Sequence, residues 1–154
     1  MLDEAPAAYR RAANMRGELS TLDEPALWHL QRGQAATGLK VARRAHEMAI
    51  AVHGRKATAQ TAATVAKAYL ALGEAETAAG WYERCLSIAH ATYPFAEARA
   101  LAGLAAARLE GGDAQAARGL AEQAAAIASA CGFRRLAARA RTVLAACGAQ
   151  VLIG

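Results

Sequence analysis

His46-Glu47 opens the helical pattern of zinc hydrolases, in which two histidines one turn apart hold the metal and the glutamate between them activates water. The second histidine would stand at position 50, which is Ile50. His53 lies two turns from His46, beyond an i, i+4 ligand pair, so both read as residues of a helix surface and no metal is expected. His29 beside Trp28 has the chemistry of a base but reads as a packed side chain. Cys85, Cys131 and Cys147 are odd in number and far apart, with neither a C-x-x-C pair nor a histidine at ligand spacing, which argues against a zinc site or a disulfide framework and fits a reducing, cytoplasmic setting. No G-x-S-x-G, phosphate-binding glycine loop or paired carboxylates occur. The expectation is a chain with no catalytic residues and no cofactor, not an enzyme. A pocket near Trp28, His29 or Tyr69, used by an enzyme or a small-molecule binder, is the competing reading.

Arg134, Arg135, Arg139 and Arg141 make one basic stretch, with Arg135 and Arg139 on a shared helical face. Such a helix is able to contact phosphates, which raises nucleic acid as an alternative partner. Neither interleaved aromatics nor a helix-turn-helix pattern accompanies it, and a solvent-facing cap on the end of the molecule is the preferred reading. The net charge of +5 arises from eighteen basic residues interleaved with thirteen acidic ones, as on a solvated surface.

The elements that would position these residues are helices. In 154 residues, 55% are hydrophobic but only 5% aromatic, so alanine dominates the apolar content. Alanine favours helix and lets helix axes approach closely. No stretch alternates like a strand, the length suits one domain, and no apolar run approaches the roughly 18 residues of a membrane span. The acidic start, Met1-Leu2-Asp3-Glu4, is unlike a signal peptide.

Spacing predicts a first helix over 7–20. Thr21, Glu24 and Pro25 form a capping box that starts a second, short helix ending at Gly33. Longer helices follow over 35–53, 56–72 and 74–91, then one from Pro94 to Gly111-Gly112. Asp113 is placed to cap the next, which ends near 130–132. The last runs over 133–147, with Gly148 ending the regular part and the apolar tail Val151-Leu152-Ile153 left without a role.

Gly33, Gly73 and Gly112 stand 40 and 39 residues apart, and their surroundings repeat. Ala26 matches Ala66 and Ala105; Leu30 matches Leu70 and Leu109; Gly38 matches Ala78 and Ala117. Further on, Ala45 matches Cys85 and Ala124, Met48 matches Ile88 and Ile127, and Ala49 matches Ala89 and Ala128. Small residues let the two helices of a hairpin approach, glycine turns the chain, and the longer residues fill the space between hairpins. A hairpin of this kind cannot bury its apolar face alone, so it stacks. The order Ala66, Tyr69, Gly73, Ala78, Tyr82, Cys85 resembles the tetratricopeptide repeat over about 22–130. The period departs from that family's 34, Arg108 stands in the place of Tyr69, and proline is missing at His90.

The resemblance implies an all-α, right-handed solenoid of antiparallel helical hairpins with about eight helices. Its division would be an N-terminal helix over 1–20, hairpins over 21–54, 55–92 and 93–132, and a capping helix over 133–148. It also implies a noncatalytic module that binds a protein or peptide segment, in the style of the repeat modules of bacterial transcriptional regulators from high-GC organisms. The first helices of successive hairpins would line a groove, with Gln60, Thr64, Lys67 and Arg99 facing it. Ala63, Ala102 and Ala106 occupy the inward positions where some members of the family hold a C-terminal carboxylate, so that clamp is not expected here. Open ends and the Val151–Ile153 tail keep a homodimer among the alternatives.

Overall fold

The computed structural model describes residues 24–153, with side chains through Ala149. Seven helices and no strand occur among these residues: α1 at 24–31, α2 (Ala35–Ala51), α3 (Arg55–Ala71), α4 (Ala75–Ala89), α5 (Pro94–Glu110), α6 (Ala114–Cys131) and α7 (Arg134–Ile153). The helix expected over 7–20 and the Thr21 cap lie outside the described residues. From α2 onward each helix packs on the next, and α3 and α5, like α5 and α7, also touch. The result is an inner row containing α3, α5 and α7, and an outer row of α2, α4 and α6.

Sequence dictates the turns first. Gly33, Gly73 and Gly112 all adopt left-handed backbone, with φ of 76°, 80° and 87°. In each turn the residue after the glycine donates to the carbonyl five positions back: Gln34 to His29 at 2.8 Å, Glu74 to Tyr69 at 2.9 Å, Asp113 to Arg108 at 2.9 Å. These bonds satisfy helix-end carbonyls that would otherwise lack partners. Asp113 then accepts from the Ala116 N–H at 3.0 Å and caps α6. Pro94 opens α5 in the first turn, where its missing N–H breaks no helical bond.

The outer helices show the repeat in their buried residues. Gly38, Ala42, Ala45 and Ala49 are buried on α2; Ala78, Tyr82, Cys85 and Ala89 on α4; Ala117, Ala121, Ala124 and Ala128 on α6. The spacing is the same each time and describes one narrow stripe. Inner helices α3 and α5 are flanked on both sides, so their buried residues spread around the helix, including Thr61 to Ala66 on α3 and Ala100 to Ala105 on α5. Close approach is direct at Gly38, where a Cβ would lie 3.0 Å from Leu30 Cδ2 and 3.2 Å from the Ala26 carbonyl oxygen. Met48 packs on Ala45 and Ala49, and Ile127 on the cluster of Ala98, Ala128, Leu136 and Ala137.

Two features depart from the sequence reading. α7 does not stop at Gly148 but continues to Ile153. A single glycine costs about 1 kcal/mol in a helix, which the surrounding alanines, Gln150 and Leu152 can sustain. His46, expected on the helix surface, is buried. Its Nδ1 lies 2.9 Å from Thr61 Oγ1, while Thr61 donates to the Ala57 carbonyl at 2.8 Å. Since the hydroxyl hydrogen is used there, the ring is the donor, which fixes the tautomer with the proton on Nδ1. Trp81 meets the His46 ring edge to face at 5.0 Å.

Candidate functional site

Packing against the outer row leaves one side of α3, α5 and α7 facing away from it, and the concavity between them forms a groove of about 710 Å³. Leu27, Phe95, Phe133 and Leu136 supply its apolar lining. Phe95, 47% exposed, meets the Phe133 ring edge to face at 5.1 Å, so an aromatic pair stands open at the groove. Lys67, Arg99, Arg134, Arg135 and Arg139 supply five cations, and among the described residues no carboxylate lines the groove.

The expected groove residues separate into two roles. Gln60, Lys67 and Arg99 line the groove. Thr64 does not reach its surface: it is fully buried, donates to the Gln60 carbonyl at 3.2 Å and accepts from Arg99 Nη2 at 2.9 Å. Arg99 also donates through Nη1 to the Gln60 carbonyl at 3.3 Å. These two bonds carry α5 onto α3 and hold one guanidinium in a fixed orientation, with further N–H donors left over.

Arg135 and Arg139, which the sequence reading put on one basic helical face, also line the groove. Packing on α5 and α6 turns this face of α7, with Arg135 exposed and Arg139 half-buried, toward the groove. Their i, i+4 spacing was the available signal, but only the docking of α7 says where that face points. Lys67 records the convergence. Burial, and then the positive charges of Arg139 and Arg99, lower its pKa from the ordinary lysine value.

Beneath this cluster lies Tyr82 of α4. A Cβ on Gly103 would meet Tyr82 Cζ, Cε1 and the hydroxyl at 2.2, 2.3 and 2.6 Å, so only glycine leaves room for the ring against α5. The Tyr82 hydroxyl is buried and makes no hydrogen bond. Arg139 approaches it without reaching hydrogen-bond geometry; burial raises the tyrosine pKa, and the charges of Arg139 and Arg99 oppose that rise.

The other candidates disperse. His29 Nδ1 lies 2.6 Å from Gln34 Oε1, and Trp28, half exposed, stacks under Arg32 at 4.6 Å. Tyr69 stacks on Trp81 with ring centroids 6.5 Å apart, far along the chain from those two. Cys85 is buried against the Ala96 carbonyl, which lifts its thiol to about 11, and Cys147 is buried as well, whereas Cys131 is exposed. Among the described residues no three His, Cys, Asp or Glu side chains converge as a metal site would require, and no helix is long and apolar enough to cross a membrane.

No protein-family model matches the chain, and no curated protein matches it. Among solved structures, the chain is similar to the crystal structure of the TPR domain of FLU from Arabidopsis. The TM-score is 0.65 at 16% identity, over 73% of this chain and 95% of that domain. At that identity the likeness is one of fold: the protein is a tetratricopeptide-like stack of helical hairpins.

Proposed function

We propose that this chain is a noncatalytic interaction module whose concave groove takes a peptide or helix of a partner protein, within a bacterial regulatory system. The observation that carries this reading is the groove itself, in which an open aromatic pair lies beside cations that have no carboxylate partner among the described residues. An amphipathic segment meets both needs at once, burying apolar side chains on Phe95, Phe133 and Leu136 while its polar edge meets Lys67 and Arg99. The fold suits this use, since stacked hairpins offer an extended concave surface without requiring movement of the core. Three cysteines without a disulfide among them agree with a reducing, cytoplasmic setting.

The test is capture from native cell extract by wild type, Lys67→Glu and the surface control Arg118→Glu. Lys67→Glu places a carboxylate between Arg99 and Arg139, where it pairs with the cations a partner would use. A partner held by wild type and by Arg118→Glu but lost with Lys67→Glu supports the groove. Retention of every partner by Lys67→Glu removes it from consideration.

A further inference from the structure

What sets the cations of the groove apart is that several helices bring them to line one concavity. Elsewhere Arg108 pairs with Glu83 at 2.9 Å and Glu76 at 3.7 Å, and Arg118 with Glu122 at 3.8 Å. Lys67, Arg99 and Arg139 come from three different helices, α3, α5 and α7, and act on one another electrostatically, yet among the described residues none has a carboxylate partner. Like charges brought together and partly withdrawn from water are costly unless an anion joins them.

From this arrangement we infer that Lys67, Arg99 and Arg139 form a receptor for a phosphate monoester carried by the segment that the groove binds. The inference rests on the groove reading above and names the chemistry of its ligand. Three observations favour phosphate. First, three positive charges converge; a carboxylate neutralises one, whereas a phosphate monoester brings nearly two negative charges and three acceptor oxygens. Second, Arg99 is already oriented by Thr64 and the Gln60 carbonyl, so little side-chain entropy remains to be lost when its free N–H groups meet an oxyanion. Third, the Tyr82 hydroxyl is buried without a partner beside Arg139. An anion that fixes Arg139 lets this hydroxyl complete the network as acceptor from it. Phosphodiesters fit less well, because a nucleic acid spreads one charge per phosphate along its strand while these cations line a single groove.

The test uses the intact chain and four probes at fixed ionic strength: phosphoserine capped at both ends, its unphosphorylated and glutamate counterparts, and a short single-stranded oligonucleotide. Binding is read from the arginine Nε–H signals in NMR spectra. Capped phosphoserine should saturate with shifts at Arg99 and Arg139, at roughly tenfold lower concentration than capped glutamate, and the serine form should not saturate. Arg139→Gln and Lys67→Gln should each weaken the phosphoserine probe roughly tenfold, Tyr82→Phe by less, and Arg118→Gln not at all. Equal response to glutamate and phosphoserine, tighter saturation by the oligonucleotide, or no saturation by phosphoserine overturns the inference. Phosphatase treatment of the extract separates this failure from failure of the groove reading. If the captured partner survives the treatment but is still lost with Lys67→Glu, the phosphate is wrong and the groove stands.

Discussion

The seam between α4 and α5 and the floor of the groove meet on one helix and obey opposite rules. On α5, Gly103 gives up its side chain so that the Tyr82 ring can close the seam, and one turn earlier Arg99 extends a charge into the groove. The seam is neutral, built of Ala78, Ala79, Cys85 and Ala100 around that ring, and closed to a methyl group. The groove keeps apolar surface open and gathers cations with no carboxylate beside them among the described residues. The seam is closed packing and the groove is open surface, with Tyr82 related to both: its ring fills the first, and its hydroxyl lies near Arg139 and Arg99 of the second.

Breaking the seam should have the largest effect. Tyr82→Ala removes the largest fully buried side chain and should cost about 3–5 kcal/mol, read from urea unfolding. Gly103→Ala attacks the same contact from the other side. Its new methyl would overlap the ring, and the loss should be about 1–3 kcal/mol. Glu97→Gln tests the turn that leads into α5. Ala91 there is left-handed at φ 57°, and its N–H donates to Glu97 Oε2 at 2.7 Å, so replacing the charged acceptor should cost about 1.5 kcal/mol. Tyr82→Phe sharpens the comparison instead of breaking it: it keeps the ring and deletes the orphan hydroxyl, and should leave stability unchanged or raise it by up to about 1 kcal/mol. A loss larger than that would mean the hydroxyl already contributes to the seam.

The smallest effect concerns His46, in the outer seam. Burial first, then the charge of Arg84, lower its pKa below the ordinary 6.5, against smaller opposing contributions from the Thr58 backbone and Glu47. The unfolded chain therefore binds the proton more readily than the folded one. Stability should be level above about pH 6.5 and decline as pH falls from there toward the lower folded value. His46→Gln should flatten that slope in thermal melts at pH 7 and pH 5, whereas an unchanged slope would assign the decline to other groups.

Much of the fold was legible because its determinants are local. Gly33, Gly73 and Gly112 announce the same left-handed turn three times, and Asp113 caps the helix that follows it. The small residues at 26, 66 and 105 are all buried, as a repeating stack demands. The groove was legible only in part. Helix phase placed Gln60, Lys67 and Arg99, but Thr64 stands far enough round α3 to fall beneath the surface. Arg135 and Arg139 depended on how α7 docks, and His46 on Thr61 and Trp81 from the next two helices. Partners that distant in sequence leave no periodic trace. Gly103 gave no warning either, because a glycine inside an alanine-rich helix looks the same whether it faces water or a tyrosine ring.

Both α3 and α5 pack on α4, so what α4 presents between them, together with the bonds from Arg99 to Gln60 and Thr64, bears on how Lys67 and Arg99 are spaced. Tyr82, where α2 and α6 carry Ala42 and Ala121, works as a spacer with Gly103 as its seat. A chain with the same cations and a smaller residue at that single outer-row position would hold them at a different gauge. The spacing of those cations then depends on a residue that is not itself part of the groove lining.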